Sequence, residues 1–487
     1  MDTTFPTVTL AQVAAVGGAE VRGDRARPLV GATSDSRAVT PGSLFFCIPG
    51  EHDDGHRYAP SAVAAGAGAL AVERWLPVDV PQAKVASVRD AIGPMSALVF
   101  GKPADRMTTV GVTGTNGKTT CTYLLEAILG GAGLVPGVIG TTGARIDGSP
   151  VAIERTTPEA PDLQRVLARM LASGVRAVAM EVSSHALAQR RTDGVRFDAA
   201  IFTNLSQDHL DFHGTMDAYF EAKTRLFMPA HAAVGVVGSD DAYGRRLIGS
   251  AAVPIVTYGV DSGADLRATD VVVGPDGSSF VADGVRVRTA LRGAFNVENC
   301  LAALAAARTI GLDLDAAGAA LSTVERVPGR MEVIDDGRGV SVVVDYAHTP
   351  DSIRVVLRGA RSLAAGRVLV VFGCGGERDR AKRPSMGFAA TSGADLTVIT
   401  SDNPRSEDPL AIIEEIVPGA AEGGGRYVVE PDRRAAIRLA LHEARPGDVV
   451  VVAGKGHERV QEIGGSAIPF DDRVVVREEL AALGDPA

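Results

Sequence analysis

One run of ten residues carries the clearest chemistry in the chain: Gly111-Val112-Thr113-Gly114-Thr115-Asn116-Gly117-Lys118-Thr119-Thr120. Glycines let backbone N–H groups turn inward around phosphate oxygens. A helix opening at the end of the run adds partial positive charge. Lys118 would reach the β- and γ-phosphates of a nucleotide, and the Thr119 hydroxyl would ligate Mg²⁺. The strict G-x-x-x-x-G-K-[ST] spacing is not met, because Val112 stands at its first glycine. The run still predicts ATP binding.

Two more loops could add a metal. Glu181-Val182-Ser183-Ser184-His185 follows an apolar stretch, and so does Asn204-Leu205-Ser206-Gln207-Asp208-His209-Leu210-Asp211-Phe212-His213. A carboxylate and an imidazole converging beside a triphosphate could hold Mg²⁺. Lys223, in Tyr219-Phe220-Glu221-Ala222-Lys223-Thr224-Arg225-Leu226-Phe227, reads on spacing alone as a surface lysine of a helix.

These loops need strands to position them. Apolar strands are predicted at Thr108–Val112, Val175–Met180, Ala199–Thr203 and Ala233–Val237, with a helix at Cys121–Leu129. A second set follows at Val340–Val344, Arg367–Phe372, Leu396–Thr400 and Asp448–Ala453. Strands alternating with helices imply mostly parallel sheets covered on both faces. Ligands then bind at the C-terminal ends of the strands, where both loops lie. The N-terminal part carries shorter elements, such as Ser43–Ile48 before Pro49-Gly50. Ala62–Val72 is too short to span a bilayer and reads as a buried helix end and strand.

The chain has 487 residues, which at roughly 150 per domain suggests about three domains. Composition is 46% hydrophobic and 22% charged, as in ordinary globular proteins. A net charge of −10 argues against a nucleic-acid binder. Cys47, Cys121, Cys300 and Cys374 are too scattered for a zinc ribbon or a disulfide framework, and are expected as buried thiols of a cytoplasmic protein. Met1-Asp2-Thr3-Thr4-Phe5-Pro6 shows no signal-peptide pattern, and no membrane insertion is expected.

Gly114–Thr119, Glu181–His185, Asn204-Leu205 with Asp208–Asp211, and Asp345-Tyr346-Ala347-His348-Thr349-Pro350 resemble the successive signatures of the Mur ligase family. They occur in the family's order over nearly the whole chain. The resemblance implies an α/β protein of three domains. These are an N-terminal UDP-substrate domain over 1–105, a central P-loop ATPase domain with a mostly parallel sheet over 106–330, and a Rossmann-like C-terminal domain over 331–487. It assigns ATP to Gly114, Thr115, Asn116, Gly117, Lys118, Thr119, Thr120, Asn296, Arg330 and Asp345, and Mg²⁺ to Thr119, Glu181 and His209. It also reverses the surface reading of Lys223, whose counterpart in the family is carbamylated. A carbamate turns a cation that repels Mg²⁺ into an anionic oxygen ligand. Lys118, Lys223, Glu181 and His209 are then the expected catalytic set.

The branch of the family that adds the third amino acid fits best. Ser34 and Ser36, Thr156 and Thr157, and Ser183, Gln189 and Arg191 match its contacts to UDP-N-acetylmuramoyl-L-alanyl-D-glutamate. Glu51-His52-Asp53 falls where that branch varies. Asp402-Asn403-Pro404-Arg405 resembles its diaminopimelate motif, whose arginine lysine-adding relatives generally lack; Arg378, Gly454 and Glu458 match the rest of that pocket. The implied activity is an ATP-dependent ligation through an acyl phosphate. It joins the D-glutamate γ-carboxyl to diaminopimelate, expected as the meso isomer, in peptidoglycan-precursor synthesis by a monomer. Three alternatives stay open: a lysine-adding enzyme, another ligase of the superfamily such as a folylpolyglutamate synthetase or the D-alanyl-D-alanine-adding enzyme, and a P-loop NTPase switch or motor.

Overall fold

The computed structural model describes residues 7–50, 53–261, 263–335, 337 and 339–483. The signal-peptide reading of Met1–Pro6 and the first two residues of Glu51-His52-Asp53 lie outside the described residues. Three domains are each built on one sheet. The N-terminal sheet has the order Glu20–Arg22, Gln82–Lys84, Ala69–Val72, Ser43–Phe46, Gly31–Thr33. Its first pair is antiparallel and the others are parallel. Ala62–Val72 divides as expected, into the end of helix Ala59–Ala64 and the buried strand Ala69–Val72.

The central sheet has eleven strands. Its middle is parallel: Pro136–Gly140, Ala177–Glu181, Thr108–Thr113, Phe197–Phe202, Ala232–Gly238, Ile255–Gly259 and Leu266–Gly274. Antiparallel strands close both ends, Gly143–Ile146 with Ser149–Val151 and Gly277–Ala282 with Val285–Thr289. The apolar-run argument missed these end strands because they are not buried on both faces. Ser149–Val151 has no buried residue, and Val285–Thr289 alternates buried with exposed positions.

The parallel middle is sandwiched. Helices Lys118–Gly131 and Ala294–Thr309 cover one face, packing Leu124, Leu125, Cys300 and Leu304 against Val110, Val112 and Ile201. The other face carries Leu163, Leu167, Phe202 and Phe227 with Met180 and Val237. The C-terminal sheet runs Glu332–Asp335, Ser341–Asp345, Val449–Ala453, Val368–Phe372, Leu396–Ile399, Arg426–Val429, and only its first pair is antiparallel. Val449–Ala453 is buried at every position, as a strand covered on both faces must be. All four cysteines are free and buried. Among the described residues, no helix is long and apolar enough to cross a membrane.

Candidate active site

The phosphate loop joins the central strand Thr108–Thr113 to helix Lys118–Gly131, and its neighbour on the sheet holds it in shape. Thr115 N donates to Asn204 O (2.9 Å), Asn116 N to Asn204 Oδ1 (3.0 Å) and Thr203 Oγ1 to Asn116 O (2.6 Å). Gly114 has φ +145°, and a Cβ there would stand 1.9 Å from Thr203 Oγ1, so only glycine fits. Lys118 Nζ folds back onto the loop, donating to Gly114 O (2.9 Å) and Thr115 O (2.8 Å). Burial lowers its pKa, opposed by the charges of Glu181 and Asp208. Arg330 reaches from beyond the central sheet to donate to Thr119 Oγ1 (3.1 Å).

A cavity of about 510 Å³ opens in front of this loop. It brings together Thr115 to Thr120, Thr156, Thr157, Glu181, Ser183, Arg191, His209, Lys223, Arg330, Asp345 and Arg378. Glu181 ends its strand, with Oε1 accepting from Thr141 N (2.9 Å) and Oε2 from Thr141 Oγ1 (2.9 Å). His209 has the left-handed φ +55°, and its ring lies 4.7 Å from that of His185. Burial pushes the His209 imidazole down to about 2, against the pull of Asp208. A neutral imidazole is the form that binds metals. Among the described residues no three His, Cys, Asp or Glu side chains form a ready-made cation cage.

Lys223 corrects the surface reading made from spacing. It is 1% exposed, and its Nζ donates to Gly114 O (2.8 Å) and Thr113 Oγ1 (3.4 Å). Helix Met216–Thr224 packs beneath the phosphate loop, burying Tyr219 and Phe220 on the same side. Burial, reinforced by Lys118, holds the Lys223 amine well below the usual lysine range.

On one flank, Thr157 Oγ1 donates to Glu181 O (2.8 Å) and accepts from Ser183 N (3.1 Å). Arg191 donates to Thr157 O (3.2 Å) and to Gln189 Oε1, while Gln189 itself is outside the cavity lining. Glu159 gathers three guanidiniums: Arg89 at 2.8 Å, Arg155 at 2.8 Å and Arg191 at 2.9 Å. Ser34 and Ser36 are not in the cavity lining. They sit after strand Gly31–Thr33 of the N-terminal domain, around the turn where Asp35 accepts from Arg37 N. Asn296 is buried beside Asn299 (2.9 Å) and lines a second cavity of about 210 Å³, shared with Arg330. Asp345 Oδ2 accepts from Met331 N (2.7 Å), and burial raises its carboxyl.

The C-terminal residues form their own cluster. Asp402 to Arg405 follow strand Leu396–Ile399, Gly454 and Glu458 follow Val449–Ala453, and Arg378 follows Val368–Phe372. Asn403 Nδ2 donates to Glu458 Oε2 (2.8 Å). Gly454 has φ +115°, and a Cβ there would come 3.0 Å from Asp402 Oδ2. Arg405 is locked by three contacts: its N donates to Glu462 O (2.9 Å), Nη1 to Gly376 O (2.6 Å), and Nε lies 3.0 Å from Glu462 Oε2. Of this cluster only Arg378 reaches the large cavity.

Sequence reasoning missed several residues of the site. Thr141, which holds both oxygens of Glu181, lies in no quoted motif. Asp208 and His348 lie within quoted motifs without an assigned part. Asp208 is 3.3 Å from Lys382 Nζ and 3.4 Å from His348 Nε2, bonding the central domain to the C-terminal one. Burial alone would raise the Asp208 carboxyl; His348, His209 and Lys382 hold it well below its ordinary value.

Three family models match in succession: Mur ligase family, catalytic domain, over residues 29–94; Mur ligase middle domain over 112–307; and Mur ligase, glutamate ligase domain, over 329–456. A UDP-N-acetylmuramoyl-L-alanyl-D-glutamate–2,6-diaminopimelate ligase from Geobacillus thermodenitrificans is 46% identical over 460 residues, 92% of this chain and 94% of its own. The chain belongs to the Mur ligase family. A Streptomyces avermitilis protein of the same description is also 46% identical to this Mur ligase, over 97% of this chain and 96% of its own. A solved structure of a 2,6-diaminopimelate ligase of that description superposes with a TM-score of 0.70 at 37% identity, covering 99% of this chain and 100% of the other. MurF from Acinetobacter baumannii, at 18% identity and TM-score 0.68, shares the Mur ligase fold.

Proposed function

We propose that this Mur ligase, an ATP-dependent amide-bond-forming enzyme, joins the D-glutamate γ-carboxyl of UDP-N-acetylmuramoyl-L-alanyl-D-glutamate to meso-diaminopimelate in the cytoplasm. Its domain limits fall near residues 105 and 330. The observation that carries the acceptor assignment is Arg405. A guanidinium has five N–H groups; two of them face Glu462 and Gly376 O, which leaves three. These can hold a carboxylate in the paired geometry that arginine favours. Diaminopimelate has a second carboxylate where lysine has none. Glu458, bonded to Asn403, and Asp402 suit the adjoining ammonium. The names of the relatives agree with this choice.

In the first step the γ-carboxylate attacks the γ-phosphorus of ATP and ADP leaves. Thr157, Ser183, Gln189 and Arg191 orient the dipeptide, while Ser34 and Ser36 hold the UDP end. The backbone N–H groups of residues 114–120 and the Lys118 ammonium stabilise charge on the transferred phosphoryl group. Asn296, Arg330 and Asp345 hold the rest of the nucleotide. Thr119, Glu181, His209 and a carbamylated Lys223 would hold Mg²⁺, which neutralises phosphate charge when bound. In the second step the acceptor amine attacks the acyl phosphate and inorganic phosphate leaves. Arg378, Asp402, Asn403, Arg405, Gly454 and Glu458 bind that acceptor. Water must be kept from the acyl phosphate. The contacts of Asp208 with Lys382 and His348, and of Asn116 with Asp351 (3.4 Å), tie the C-terminal domain over the cavity.

The test is phosphate release with each component omitted in turn. Turnover is expected only with ATP, the UDP-dipeptide and diaminopimelate together. Fast release from ATP alone would favour an NTPase switch or motor.

A further inference from the structure

Lys455 stands between Gly454 and Glu458 with a side chain that is 0% exposed. Its Nζ donates to Asn403 Oδ1 (2.8 Å) and Glu458 Oε2 (3.1 Å) and lies 3.8 Å from Asp402 Oδ1. All three partners belong to the acceptor pocket. The two loops involved are not neighbours. Strand Val368–Phe372 lies between the strands that carry them, so their bases are about 10 Å apart at the usual strand spacing. A four-carbon stem can bridge that gap.

The contact also decides an orientation. A lysine ammonium only donates, so Asn403 must turn its carbonyl oxygen toward Lys455 and its NH₂ toward Glu458, as it does (2.8 Å). Glu462 N donates to the same oxygen (3.1 Å). The two pocket carboxylates repel one another. Burial and the charge of Glu458 push the Asp402 carboxyl up. Burial would also raise Glu458, yet Lys455 and Asn403 hold it below its ordinary value. A second cation joins the two loops beneath Lys455. Fully buried Arg433 donates to Ser401 O (3.2 Å) and Ala453 O (2.9 Å) and is neutralised by Asp472 at 2.7 Å, joining the same two loops at their bases.

We propose that Lys455 is a positioning residue for the acceptor amino acid: it clamps one oxygen of Glu458, leaving the other to meet the incoming ammonium, and shares with Glu462 N the hold on the Asn403 amide. This rests on the acceptor pocket assigned under the proposed function.

The test is steady-state phosphate release with diaminopimelate as the varied substrate, using wild type, Lys455→Met, Glu458→Gln and the double variant. Wild type must first use diaminopimelate; if it does not, the proposed function fails before Lys455 is in question. Lys455→Met is expected to lose at least about 100-fold in kcat/KM for diaminopimelate, with the KM values for ATP and the UDP-dipeptide within about 2-fold of wild type. The double variant restores the net buried charge of the native pocket, which keeps the comparison available even if Lys455→Met fails to fold. Glu462 N still holds the Asn403 carbonyl when Lys455 is replaced, so the loss should run through Glu458; Lys455 should then add little once Glu458 is changed, and the double variant should stay within about 3-fold of Glu458→Gln. A further loss of 10-fold or more in the double variant, an equal rise in KM for ATP, or near-wild-type acceptor kinetics in Lys455→Met would overturn the assignment.

Discussion

Lys223 Nζ lies 2.8 Å from the carbonyl oxygen of Gly114, so a helix lysine and the phosphate loop share a buried hydrogen bond. The same carbonyl accepts from Lys118 and stays satisfied without Lys223. Lys223→Ala should therefore fold. If the lysine acts as a carbamate, its loss should cost about 10²- to 10³-fold in kcat, as for removal of an electrostatic stabiliser. Added formate or acetate should restore part of the activity. Near-normal turnover in the alanine variant would contradict the carbamate role.

Gly114→Ala places a methyl group 1.9 Å from Thr203 Oγ1 on a backbone with φ +145°. Such strain costs about 1–3 kcal/mol, and relieving it must move the loop that surrounds the phosphates. The expected outcome is a lower melting temperature together with a higher KM for ATP. An unchanged KM for ATP would show that the loop does not contact the nucleotide as described.

Arg405→Ala removes the guanidinium that Glu462 and Gly376 hold in place. Losing a buried charged partner typically costs about 3–5 kcal/mol, roughly a hundred- to several-thousand-fold in kcat/KM for diaminopimelate. The KM for ATP should change little, because Arg405 is outside the lining of the ATP-loop cavity. A defect confined to ATP binding would refute the acceptor assignment.

His457 supplies a pH dependence. Burial, helped by the charge of Arg330, pushes its imidazole down to about 4, against about 6.5 in an unfolded chain. Between these values the unfolded state binds more protons. Stability is therefore fully present above pH 6.5 and falls as pH drops toward 4. From pH 7 to pH 5 the loss from this one group is about 2 kcal/mol. His457→Gln should lose less unfolding free energy than wild type over that interval, measured by urea denaturation. Equal losses would show that His457 titrates normally in the fold.

The predicted strands were legible because they are Val- and Ala-rich runs covered on both faces, and the phosphate loop because it stands between such a strand and a helix; Pro136–Gly140, equally buried, was missed because a proline and two glycines leave only Val138 and Ile139 as an apolar signal. Lys223 was not legible from spacing. A lysine on a helix reads as solvent-facing, and its burial comes from packing against a loop some hundred residues away. Only family resemblance reversed that reading. Thr141 escaped for a related reason: a threonine at a strand end carries no signal until Glu181 folds against it. Lys455 stands between the pocket residues Gly454 and Glu458, yet its partner Asn403 is distant in sequence, so only the folded sheet reveals that it is buried and shared. The antiparallel end strands were missed because they are short or one-sided.

The most direct measurement is a competition. Enzyme, ATP, Mg²⁺, UDP-N-acetylmuramoyl-L-alanyl-D-glutamate and equal concentrations of meso-diaminopimelate and L-lysine are incubated, and the nucleotide products are weighed by mass spectrometry. The account predicts the diaminopimelate adduct in at least about hundredfold excess, because lysine leaves Arg405 without its carboxylate. Comparable amounts of the lysine adduct, or ADP formed without either adduct, would contradict it.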